Sequence, residues 1–143
     1  MRAEDRPDAV APADGFTLVD RVRASSPHPM RHRNGEAVEQ RLHQCSLYDP
    51  SLDLAVETAA GDVAGYALFW LDPVTGVGLV EPMRVEDAYQ RRGLARALLT
   101  EGLARLQARG AHRLKVGYAT EAARGLYVGA GFRVTATSTT YRR

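Results

Sequence analysis

Gln90-Arg91-Arg92-Gly93-Leu94-Ala95-Arg96 stands where a β-type segment and a short connection give way to a helical pattern. The first N–H groups of a helix have no partner within it, and the aligned peptide dipoles make that end positive. A pyrophosphate can therefore be held there by main chain alone. Hydrogen bonds to a charged group contribute about 1.5 to 3 kcal/mol each and the macrodipole about 0.3 to 2 kcal/mol, so several amides outweigh the dipole. Small residues such as Gly93 and Ala95, which let the anion approach, then matter more than the arginines around them. Taken alone, the same residues fit a helix that merely begins with arginines and a glycine. Pro82 adds context, because a proline inside an otherwise regular strand pattern removes a ladder donor and predicts a bulge or a parting from a neighbouring strand. An opening between strands just ahead of an anion-binding turn is a slot for a long ligand.

Acid–base groups near that slot come next. Glu81, beside Pro82, is the candidate base, on the expectation that partial burial suits it to take a proton near neutral pH. A structural glutamate paired with an arginine fits the same position. Across the slot, the loop His28-Pro29-Met30-Arg31-His32-Arg33 together with Tyr48 and Trp70 is placed as a wall for a second substrate, with His28, Arg33, Tyr48 and Trp70 as candidate contacts. A solvated basic loop is the plainer reading of the same residues. No His-x-x-x-His spacing comes with a third ligand, and Cys45 is the only cysteine, so neither a metal site nor an internal disulfide is expected. A nucleotide-phosphate site would want a Gly-Lys-Ser/Thr ending, which this turn lacks.

The elements that must carry these residues follow from periodicity. The chain has 143 residues, 45% hydrophobic and 25% charged, which suits one soluble domain with a real core. Residues 1–14 lack an apolar period and read as a flexible leader before a single domain over 15–143. A strand is expected over Phe16–Val22 and a short amphipathic helix over Gly35–Cys45. Strands at Leu52–Thr58, Val63–Leu71 and Val77–Val85, joined by tight turns, form an antiparallel meander. A helix over Gly93–Arg109, stopped by Gly110, leads to a strand at His112–Tyr118, parallel to the one ending at Val85. Thr120 caps a last helix whose stripe Ala123, Leu126, Tyr127, Ala130 faces the sheet, and a final strand is expected over Phe132–Tyr141. The net charge is +2 and Lys115 is the lone lysine, which argues against nucleic acid as a partner. No secretory signal and no run of roughly 18 apolar residues occurs, so a cytoplasmic protein with no membrane partner is expected.

These motifs resemble the GNAT superfamily of acetyl-CoA-dependent N-acetyltransferases. Gln90 to Ala95 matches its Gln/Arg-x-x-Gly-x-Gly/Ala pyrophosphate signature, and Ala123, Leu126-Tyr127 and Gly131-Phe132 match its last helix and following strand. Trp70-Leu71-Asp72-Pro73 and Glu81-Pro82 are similar to a bacterial branch of unassigned acceptor. The resemblance covers the chain from about Phe16 onward. It implies an α/β (α+β) fold: a mixed, mostly antiparallel sheet of six to seven strands, with a central parallel pair flanked by helices.

It implies acetyl-CoA as co-substrate, with the main chain of Met83, Arg84 and Val85 pairing with the pantetheine arm. The amides of Arg91, Arg92, Gly93, Leu94, Ala95 and Arg96, beside Gln90, would cradle the pyrophosphate. Tyr127 falls on the tyrosine that protonates the departing thiolate, though a plain core aromatic fits that position too. Thr120 stands where many members have a cofactor-contacting asparagine, and Lys115 where some have a glutamate base. The implied partner is an amine, on a small molecule or a protein. After Tyr141 there is little room for a final hairpin, so the sheet edge is expected to be short or completed by a partner, which leaves room for a homodimer. A non-catalytic acyl-CoA-binding or protein-interaction module on the same fold is the alternative.

Overall fold

Leu54 and Val56 alternate along one strand and Ala67 and Phe69 along the next, and all four are buried in one cluster with leucines from a single long helix. This packing builds the molecule, described by a computed structural model over residues 1–24 and 26–138. Five strands, β1 (Phe16–Asp20), β2 (Asp53–Thr58), β3 (Val63–Asp72), β4 (Val77–Val85) and β5 (Arg113–Val116), form one sheet in the order β1-β2-β3-β4-β5. The first four pair antiparallel and β4 pairs with β5 in parallel. Two short helices, α1 (Arg31–Asn34) and α2 (Val38–His43), lie between β1 and β2. The helix α3 (Leu94–Ala108) crosses from β4 to β5, and α4 (Glu121–Gly129) follows β5.

The sequence of α3, rich in Leu and Ala, favours a helix on either side of Gly102. Leu94, Leu98, Leu99, Leu103 and Leu106 are each 0 or 1% exposed. Burying each such side chain contributes about 1.5 to 3 kcal/mol. On the other sheet face Ala55, Tyr66 and Leu68 are also buried. The segment between β1 and β2 is tied to that face by His28 and Tyr48, which both bond Asp53.

The meander, the crossover and the Thr120-capped last helix match their sequence expectations closely, but the margins of the sheet differ. The first strand stops at Asp20, with Val22 68% exposed, and the helix expected over Gly35–Cys45 is shorter and preceded by α1. Five strands are present among the described residues, not six or seven. Residues 132–138 of the expected Phe132–Tyr141 strand are not in a strand, and the rest of that expectation lies outside the described residues.

The edge of β5 is instead paired by the chain start. The Ala3 N–H donates to His112 O (3.0 Å), the Leu114 N–H donates to Met1 O (2.8 Å), and Arg2 bridges Arg113. Ala3 is 2% exposed, Arg6 bonds Gln107, and the Val10 N–H reaches the Thr100 hydroxyl. The segment read from composition as a flexible leader is thus docked over much of its length. Main-chain pairing by three residues needs no apolar period, so composition carried no sign of it. No helix among the described residues is long and apolar enough to cross a membrane.

Gly102 lets α3 approach the sheet, because a Cβ there would overlap the Phe69 ring. Gly102→Ala is expected to destabilise the fold by about 1 to 3 kcal/mol through overpacking. Urea unfolding followed by circular dichroism measures this, and Phe69→Leu in the same chain should recover part of the loss.

Candidate functional site

β4 and β5 part company halfway. Their parallel ladder runs from Val77↔Arg113 to Val80↔Val116 and stops. β4 continues along β3 through Ala67↔Met83, Tyr66↔Arg84 and Gly65↔Val85, while the chain beyond Val116 turns toward α4. The register between β3 and β4 slips between Ala67 and Phe69, opposite the cis Glu81-Pro82 bond. The bulge and parting expected from Pro82 are both present. Among the described residues no strand pairs with Glu81–Val85 on the side that β5 leaves, so main-chain groups of Met83 to Val85 border an open slot.

At the far end of β4 a 3-10 turn, Asp87–Tyr89, leads into the Gln90–Arg96 turn. Arg91 has φ 63° and Gly93 has φ 76°, both left-handed, and Gly93 is the N-cap residue of α3 with no side-chain cap. Among the described residues, no protein group accepts a hydrogen bond from the N–H of any residue from Arg91 to Arg96. Successive unpaired amides in a left-handed turn at the start of a 15-residue helix are an arrangement suited to an anion. Space is open where a Cβ on Gly93 would point.

The side chains around the turn brace it. The Gln90 amide donates to Val85 O (3.3 Å) and Asp87 Oδ1 (3.0 Å). The Arg92 guanidinium lies 5.9 and 5.8 Å from the ring centres of Phe16 and Tyr89, a cation–π cradle. Leu94 is buried beneath the turn, and Arg91 and Arg96 are exposed. Arg84 pairs with Glu86 and Asp87 at the foot of β4.

The acid and base candidates differ in setting. Tyr127 is 6% exposed on α4, edge-on to Phe132 at 6.1 Å, in a cleft of about 520 Å³ shared with Leu114, Val116 and Tyr118. Burial, and secondarily the charge of Glu81, raises the pKa of its phenol, so it holds its proton at neutral pH. Glu81 itself is exposed, contrary to the partial burial expected for it, because it alternates with the buried Val80 on β4. The Thr120 hydroxyl accepts the Ala123 N–H at 3.2 Å, as a helix cap. Lys115 is exposed on β5.

The wall on the second side is only partly as expected. Tyr48 and Trp70 lie together, ring centres 6.3 Å apart, and the Trp70 indole N–H donates to the Glu81 carbonyl at 2.6 Å. His28 lies behind them, 1% exposed, with Nε2 donating to Asp53 at 2.8 Å while Nδ1 accepts the Met30 N–H. Arg33 grips Glu86 through two bonds of 3.0 and 3.1 Å and holds that carboxyl below its usual range. Asp53, Glu86 and the Phe16–Tyr89 pair were missed by sequence reasoning. Each acts through a partner distant in the chain, and a single Asp or Glu in a strand or loop carries no spacing signal.

The model of the acetyltransferase (GNAT) family matches residues 19–132. The chain belongs to this family of enzymes. A mycothiol acetyltransferase of Clavibacter michiganensis subsp. michiganensis is 35% identical over 132 residues, 91% of this chain and 42% of that protein, so the chain spans under half of its relative. Among solved structures, a GCN5-related N-acetyltransferase from Sphaerobacter thermophilus matches with TM-score 0.65 at 24% identity, over 91% of this chain and 44% of that one. The ribosomal-protein-S18-alanine N-acetyltransferase of Escherichia coli matches with TM-score 0.66 at 22% identity, over 85% and 79%. The likeness to both shows the fold, in which this chain carries its parallel β4/β5 pair in an otherwise antiparallel sheet.

For this GNAT chain the effect of the Glu81 charge on the Tyr127 phenol has a spectroscopic consequence. Removing a nearby negative charge eases ionisation of a phenol, so Glu81→Gln should lower the Tyr127 titration midpoint. The Tyr127 contribution is read as the ultraviolet difference between each protein and its Tyr127→Phe counterpart; an unmoved midpoint would separate the two residues.

Proposed function

We propose that the chain binds acetyl-CoA along β4 and in the Gln90–Arg96 turn and transfers its acetyl group to a primary amine of a small molecule or a protein. The unpaired amides of Arg91 to Arg96, at the end of a slot opened by parting strands, carry this reading. A pyrophosphate supplies the acceptors those amides lack, and the main chain of Met83, Arg84 and Val85, where it faces away from β3, suits the amide-bearing pantetheine arm. The name of the Clavibacter relative supports acetyl as the group transferred.

Acetyl-CoA supplies an activated thioester, and the chain's residues position it and manage protons. A bond forms between the amine nitrogen and the acetyl carbonyl carbon, the carbon–sulfur bond breaks, and the thiolate takes a proton. Tyr127, protonated and buried, is the proton donor in this reading. The proton lost by the amine goes to Glu81, whose exposure lets it act directly or through one water. Holding the two reactants together contributes roughly 7 to 11 kcal/mol, against about 3 to 5 kcal/mol for an acid or a base. The slot and turn therefore matter more to the rate than either side chain.

Calorimetry with acetyl-CoA tests the reading. Gly93→Asp places a carboxylate against the pyrophosphate in a left-handed position and is expected to abolish binding while circular dichroism stays native. Tyr127→Phe should keep acetyl-CoA affinity and lose about 100- to 10,000-fold in turnover, followed as free thiol released across an amine panel. Wild-type protein that does not bind acetyl-CoA would reject the proposal.

A further inference from the structure

Trp70 is the chain's single tryptophan. On β3 it lies opposite Leu79, just short of the point where the β3/β4 register slips. Its N–H is committed to the main-chain carbonyl of Glu81 (2.6 Å), within the irregular stretch and two residues ahead of Met83. A phenylalanine could pack against Tyr48 equally well but could not hold that carbonyl. The direction the chain takes at Glu81-Pro82 decides where the Glu81 carboxylate points and which way the edge of Met83 to Val85 turned from β3 faces.

Trp70 is in turn steadied from the buried side of the sheet. Its neighbour Tyr48 donates its hydroxyl to Asp53 Oδ2 at 2.7 Å, and His28 Nε2 donates to the same oxygen at 2.8 Å. The Met30 N–H, donating to His28 Nδ1, fixes the tautomer that makes this bond. Burial, then the Asp53 charge, raises the Tyr48 pKa, so its hydroxyl remains a donor. The Asp53 side chain is 2% exposed, and its Oδ1 has no partner among the described residues. A buried carboxylate with only two side-chain donors leaves each of them important, because loss of either strands the charge. His28 and Tyr48 belong to the segment between β1 and β2, so the same oxygen ties that segment to the sheet behind Trp70.

We propose that Trp70 is a positioning residue of the transfer site: through the Glu81 carbonyl, and backed by Tyr48 and Asp53, it sets the corner at which β4 leaves β5. The inference rests on the reading of the β4/β5 slot as the acetyl-CoA groove.

Two readouts on the full chain test it. Trp70→Phe keeps a ring and loses the N–H; it is expected to weaken acetyl-CoA binding about two- to tenfold by calorimetry, with native circular dichroism. In ligand-free protein, Trp70 emission is expected to move to longer wavelength, with stronger quenching by acrylamide, in Tyr48→Phe and Asp53→Ala. Both donors aim at one oxygen, so Asp53→Asn keeps their acceptor and should emit as the wild type does. Trp70→Phe binding acetyl-CoA as tightly as wild type would overturn the proposal. So would unaltered emission in Tyr48→Phe, or an Asp53→Asn emission as displaced as that of Asp53→Ala. Wild-type protein that fails to bind acetyl-CoA rejects the proposed function instead, and the ligand-free emission comparison still decides whether Tyr48 and Asp53 steady Trp70.

Discussion

A parallel ladder that stops after Val80↔Val116 leaves a row of main-chain groups on β4 facing no strand among the described residues. Buried or half-buried backbone donors and acceptors left in this way are costly unless something pairs with them. The fold tolerates the gap because β3 continues to hold the other edge of β4 down to Val85, and because the leucines of α3 anchor the sheet beneath it. The turn after β4 extends the same condition to the helix start, where amides from Arg91 to Arg96 have no acceptor among the described residues. Two stretches of open backbone, one edge of Met83 to Val85 and the amides of Arg91 to Arg96, are what the rest of the structure frames.

The framing is charged and aromatic more than apolar. Arg33, Glu86, Arg84 and Asp87 form a connected set of ion pairs at the foot of β4, while Gln90 ties the turn back to Val85. These groups are partly exposed, where each pair is worth about 0 to 1 kcal/mol, so their value lies in fixing the turn's shape more than in stability. Arg92, stacked on Phe16 and Tyr89, is likewise occupied with support. Main chain is thus left open at the turn, beside the small residues at positions 93 and 95.

Much of this was legible in the residues. Pro82 announced the bulge and the parting of β4 from β5, the helical stripe of α3 and the Gly93 start placed the turn, and Thr120 announced α4. These features are local, written in periodicity, proline chemistry and caps. What was not legible depends on contacts between distant segments. The chain start pairs with β5 through three residues that show no period, and His28 meets Asp53 across 25 positions of sequence. The exposure of Glu81 has a different origin: the alternation that buries Val80 turns its neighbour outward. The Phe132–Tyr141 strand was expected from an apolar pattern, yet its described part, residues 132–138, stands outside the ladder. Pattern alone does not supply a pairing partner.

The central claim concerns individual amides, so an amide-resolved nuclear magnetic resonance titration of the full chain with coenzyme A examines it most directly. The expected result is that the largest displacements fall on the N–H signals of Arg91 to Arg96, with a second set on Met83 to Val85, and that both saturate together. Saturable displacement elsewhere, with the signals from Arg91 to Arg96 unmoved, would contradict the account.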